Sequence, residues 1–221
     1  MHSQLRLQQL VSPALPIGCY AYSQGLEAAI EQAWVYDEDS TKSWLRGILK
    51  NAVVYNDLAV FVKIYQASNA HRVDDIIEWN QYILALRETS ELYAEDIQVG
   101  GALKKLLTDL AFARQDILHQ LPMCSYVSAF SLACATWNIP LSVALGGFSY
   151  AWVENQIATA IKLVPLGQTS GQRILSQLFD DIAAVVIKSQ KISDQDIGFS
   201  LPAFSIGSSL HETQYTRLFR S

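Results

Sequence analysis

The chain has 221 residues, of which half are apolar and 17% charged, with a net charge of −5 and a pI near 5.3. A single core can organise that length, and so large an apolar share predicts burial against a partner as well as within the chain. Lysines and arginines are scattered, so no basic stripe offers itself to a phosphate backbone, and nucleic acid is not an expected partner.

Taken in chain order, residues 1–16 hold one charged side chain and only broken apolar runs. They lack the basic start and continuous hydrophobic region of a signal peptide. Cys19, Cys124 and Cys134 sit in apolar surroundings without CxxC spacing. An odd count closes no disulfide framework, and a reducing, cytoplasmic location is expected. Between Gly47 and Gly100 there is neither Gly nor Pro, and apolar residues such as Trp44, Leu45, Ile48, Leu49, Ala52 and Val53 recur at helical spacing. Successive helices are predicted there.

Val99, Leu103, Leu106, Leu107, Leu110 and Ala111 mark another helical stripe, with Lys104, Lys105 and Asp109 on the other face. From Ile117 to Val153 no Asp, Glu, Lys or Arg occurs, a length that would span a bilayer. The Trp137–Pro140 break and the recurring serines favour buried core helices instead, and no membrane association is expected. Ile174, Leu175, Leu178, Phe179, Ile182, Val185 and Val186 predict one more helix, with Thr169 or Ser170 as its cap. No alternating strand pattern or hairpin turn is found. The expectation is an all-α, single-domain bundle of about ten helices over 1–221. From about Ser193 to Ser221, Gly, Ser and Pro predict an extended, partner-binding tail.

Several short patterns imitate catalytic motifs and fail on chemistry. In His211-Glu212-Thr213-Gln214-Tyr215 the second zinc-ligand position of HExxH is a tyrosine. Ala21-Tyr22-Ser23-Gln24-Gly25 lacks the first glycine of GxSxG and a preceding strand, so Ser23 reads as a helix cap and not a nucleophile. Gly167-Gln168-Thr169-Ser170-Gly171 lacks the lysine of a phosphate-binding loop. His2, His71, His119 and His211 are dispersed, with no ligand spacing among them. No catalytic residue, metal site or cofactor is expected, and the chain is not expected to be an enzyme. Glu88, Glu91 and Glu95 recur at helical spacing and read as a solvated face in preference to an acidic recognition face. Tyr20 and Tyr22 fit core packing and an exposed aromatic contact equally well.

The opening LRLQQLVSPALPIGCYAYSQGLEAAIEQAWV, then RETSELYAED (87–96), WVENQ (152–156), KLVPLGQTSGQR (162–173) and the terminal HETQYTRLFRS occur in one order along nearly the whole chain. In these blocks the sequence resembles the UreF family of urease accessory proteins, with Cys19 standing where the family has Gly, Ala or Ser. The resemblance implies an all-helical homodimer that bridges a UreD/UreH-type scaffold to the GTPase UreG and helps deliver nickel to the urease apoprotein, with a possible effect on GTP hydrolysis. It makes Tyr20, Tyr22, Ser23, Gln24 and Glu27 candidates for the GTPase-facing surface. His211, Glu212, Gln214, Tyr215, Arg217 and Arg220 become candidates for the scaffold contact. The alternative is a chaperone that binds nickel directly.

Overall fold

A computed structural model describes residues 1–221, and every regular element in it is helical. Helix α1 (His2–Leu10) leads through a turn-rich stretch and a short 3₁₀ turn at Cys19–Ala21 into α2 (Leu26–Glu31). Helix α3 (Glu38–Ile48) starts in a capping box: the Asp37 carboxylate accepts from the Ser40 amide at 2.8 Å, and the Ser40 hydroxyl accepts from the Asp37 amide at 3.0 Å. It runs into a π-helical segment, Leu49–Leu58, and then into α4 (Ala59–Asn69).

The predicted run of helices before Gly100 is present, continuing with α5 (Val73–Ala85) and α6 (Ser90–Asp109). Its boundaries needed neither Gly nor Pro. The chain leaves α4 through His71 in the left-handed region (φ 56°), and Thr89 caps α6 by accepting from the Leu92 amide at 3.2 Å. Then come α7 (Gln115–His119), α8 (Tyr126–Thr136) and α9 (Leu141–Leu163).

The uncharged stretch is explained by α8, which is buried on every face among its neighbours. Phe130 meets Phe61 of α4 at a ring separation of 6.0 Å and Phe148 of α9 at 5.3 Å. The serines within the stretch are absorbed locally: Ser131 donates to the Phe61 carbonyl at 2.8 Å, and Ser149 to the Leu145 carbonyl at 2.8 Å. No helix is long and apolar enough to cross a membrane. Much of that stretch is taken up by this chain's own core.

Two expectations are corrected in the last third. The single helix predicted from Ile174 to Val186 is two, α10 (Gln168–Gln177) and α11 (Phe179–Ser189), with a break at Leu178. Neither Thr169 nor Ser170 caps α10; Gly167 occupies that position, and the Ser170 hydroxyl accepts from Arg173 at 2.9 Å. The tail contains a helix, α12 (Pro202–Glu212), with proline in its first turn. Low propensity did not prevent it, because α12 packs across α2 and tertiary burial outweighs intrinsic preference.

Candidate partner-docking site

The crossing of α12 over α2 depends on Gly25. Its φ is 76°, a left-handed conformation, and a Cβ there would lie 2.6 Å from the Ser208 nitrogen. The other residues of the Ser23–Glu27 stretch then act in turn. The Ser23 amide donates to the Ser221 carbonyl at 2.8 Å and its hydroxyl bonds the same oxygen. The Gln24 side chain donates to Glu95 at 2.7 Å and accepts from the Trp152 indole at 2.8 Å. These bonds hold Gln24 at φ 53°, a region side chains rarely occupy.

Glu27 is the centre of the arrangement. Its Oε1 accepts from the Leu218 amide at 2.7 Å and its Oε2 from the Phe219 amide at 2.9 Å, while Oε2 also lies 3.1 Å from Nε2 of His211. Nδ1 of His211 lies 2.7 Å from Glu91, whose other oxygen accepts from Arg217 at 2.7 Å. A carboxylate only accepts, so both histidine bonds exist together when both ring nitrogens carry hydrogen. The two carboxylates meet opposite edges of the ring and cannot share one ion with it. No group of three or more His, Cys, Asp or Glu side chains is arranged to hold a metal.

The tail is fastened at two further points. The Glu212 carboxylate accepts from the backbone amide and hydroxyl of Ser90, at 2.9 and 2.6 Å, at the start of α6. That hydroxyl bond and the amides at the helix start hold Glu212 below the usual carboxylate range. At the far end, Ser221 donates to Glu95 at 2.9 Å, and the buried Phe219 ring faces Lys162 at 5.4 Å. Burial pushes the Glu95 carboxyl up to about 7, against the hydrogen bonds from Gln24 and Ser221 that favour its charged form.

The two candidate surfaces proposed from sequence are therefore one assembly. Ser23, Gln24 and Glu27 face inward and hold the tail that carries His211, Glu212 and Arg217. Tyr22 is core, with its hydroxyl 2.6 Å from Gln98; Tyr20 is half-buried, bonded to Glu154 at 3.0 Å, and its phenol is raised by burial and by that carboxylate. Gln214 is half-buried and donates to the Thr216 carbonyl at 3.0 Å. Tyr215, Leu218 and Arg220 remain exposed, Tyr215 completely so.

Of the acidic residues read as one solvated helix face, Glu88 lies before α6 and is exposed, whereas Glu91 and Glu95 are the tail's dock. Glu91 and Glu95 bind it from α6, and Glu88 bonds Ser200 and Ser205. The sequence signal was present in the spacing of Glu91 and Glu95 on one face, but their partners lie more than a hundred residues away. The tail read as extended lies instead against this chain, with His211 and Ser221 fully buried. Trp152, which fixes Gln24, was visible only as a member of a motif block; Glu154, which fixes Tyr20, was otherwise visible only as a carboxylate that a hydrolase would need as general base.

Fold and cluster define an all-helical protein whose recurring sequence blocks converge to anchor its own C-terminal segment. The UreF family model matches residues 35–179. The urease accessory protein UreF of Teredinibacter turnerae is 42% identical, with all of both chains covered. The UreF proteins of Alkalilimnicola ehrlichii and Hahella chejuensis are 42% and 43% identical, covering 99% and 98% of this chain and 96% and 97% of their own. The chain belongs to the UreF family of urease accessory proteins. The matched family segment includes Glu91 and Glu95 but excludes residues 23–27 and 211–221, the two halves of the clamp that Glu27 closes; the alignment with the Teredinibacter protein spans both.

Proposed function

We propose that this chain is a non-catalytic adaptor in urease maturation. It would bridge a UreD/UreH-type scaffold and the GTPase UreG, modulate GTP hydrolysis, and support nickel delivery to the urease apoprotein as a cytoplasmic homodimer. Family membership supports the accessory role, and three free thiols suit a reducing compartment. The observation that carries the adaptor reading is the anchored tail. It presents Tyr215, Leu218 and Arg220 to solvent on a segment already held in place, so a partner meets aromatic, aliphatic and guanidinium groups at little ordering cost.

The test is capture of purified scaffold and GTPase by the double variant Tyr215→Ala/Arg220→Glu. Both side chains lie outside the clamp, so melting should match the parent while scaffold capture weakens at least tenfold. Undiminished capture by the folded variant would remove the tail from the interface.

A further inference from the structure

Three carboxylates receive the tail, and one of them differs from the others. Glu27 and Glu91 meet the His211 ring, and Glu91 also meets the Arg217 guanidinium. Glu95 is bonded only by neutral groups: its Oε1 accepts from the Gln24 amide at 2.7 Å and its Oε2 from the Ser221 hydroxyl at 2.9 Å. Arg87, the cation whose field reaches it, is committed to Asp57 at 2.8 Å and to Asp96 at 2.9 Å, and Asp96 adds like charge from the next position of α6. On the neighbouring turn the Cys19 thiol is pushed up to about 12, and the Tyr126 phenol beside it stays neutral, both through burial. A carboxylate only 8% exposed and held by neutral donors is penalised in its charged form.

The end of the tail supplies much of that burial. Ser221 is fully buried between Glu95 and the Ser23 amide, which donates to the Ser221 carbonyl at 2.8 Å. On the outer side of the same segment Leu218 and Arg220 are exposed. Lifting the last residues therefore lets water reach Oε2 of Glu95, replacing the Ser221 hydroxyl and relieving the desolvation that opposes the charge. Seating of the tail and neutrality of Glu95 favour one another.

We propose that residues 217–221 form a proton-controlled latch, seated against α6 while the Glu95 carboxyl is neutral and lifting when that carboxyl ionises. A neutral carboxyl still accepts from Gln24 and can donate its proton to the Ser221 hydroxyl, so the seated arrangement keeps both bonds. Linkage fixes the direction. The seated state holds the proton up to about pH 7, whereas a solvated carboxyl releases it near the ordinary 4.5. Opening therefore rises with pH between those values and levels off above about 7. His211 faces Glu27 and Glu91, one helical turn before Glu95, and its titration is separated from that of Glu95 by substitution. The inference stands on the geometry of the clamp and not on the adaptor reading.

The test is amide hydrogen exchange of the full chain by NMR, corrected for the intrinsic pH dependence of exchange. Opening at Leu218 and Phe219, whose amides bond to Glu27, should increase about tenfold from about pH 5.5 to about pH 7.5. In Glu95→Gln it should not vary with pH. Dilute urea should leave this opening unchanged while raising exchange at core amides such as that of Phe130, which marks the motion as local. If the variant does not fold, the carbon-13 resonance of the Glu95 carboxyl in the parent decides, and its titration midpoint should fall where the opening levels off. A pH-independent opening in the parent would overturn the proposal. So would an unchanged slope in Glu95→Gln, which would assign the dependence to His211, or urea-sensitive exchange at Leu218 and Phe219, which would mark global unfolding.

Discussion

The Glu27 carboxylate meets Nε2 of His211 at 3.1 Å, joining two residues 184 positions apart, and both are buried. With the Leu218 and Phe219 amides on the same carboxylate, one side chain fastens the final residues to the start of the fold. Glu27 is thus a clamp residue and not part of an open surface.

Glu27→Ala leaves a buried imidazole and two backbone amides without their acceptor. The expected loss is about 3 kcal/mol, typical of breaking a buried charge-assisted network by removing one partner. Glu27→Gln keeps one acceptor oxygen and should lose less. Urea unfolding of the three proteins checks the order; equal stability of Glu27→Ala and the parent would show the clamp to be energetically idle.

Removing residues 211–221 should lower the melting temperature by about 10 °C, because it exposes the Phe219 site and strips donors from Glu27, Glu91 and Glu95. A tail that ordered only on a partner would leave melting unchanged. Calorimetry of the truncated chain alone separates the two.

Gly25→Ala imposes a Cβ at φ 76° and within 2.6 Å of the Ser208 backbone. The left-handed conformation and the overpacking together predict a cost of about 2–5 kcal/mol. Gly101→Ala, where a Cβ meets nothing within 4 Å, is the control and should be neutral or slightly stabilising.

Glu95 predicts a pH dependence. Its carboxyl titrates near 7 in the folded chain and at its ordinary value of 4.5 when free of the fold. Below 4.5 both states hold the proton and the group contributes nothing. Between 4.5 and about 7 the folded state keeps a proton that the unfolded chain has released, so stability falls as pH rises; above about 7 the penalty is constant. Glu95→Gln removes it, and should exceed the parent by up to about 3 kcal/mol at pH 8, with the advantage shrinking toward pH 4.5. Denaturant titrations of both proteins across that range test it, and a difference independent of pH would refute the assignment.

Helical spacing settled much on its own. The period-3.6 stripes placed α3, α6 and the α10–α11 region, and the missing charge between Ile117 and Val153 marked α8 and α9 as core, because a helix surrounded by others needs no polar face. The order of motif blocks carried the family resemblance. Spacing could not place the breaks at His71, which takes the left-handed φ of 56° without being a glycine, and at Leu178, which carries no breaker residue at all. Nor could it pair Glu91 with His211 or Glu95 with Ser221. A carboxylate stripe on a helix looks alike whether it faces water or a distant segment, and only the crossing of α12 over Gly25 decided that the tail would lie against it. Local periodicity reports which face of a helix is apolar; it carries no information about which polar groups, a hundred residues apart, will be buried together.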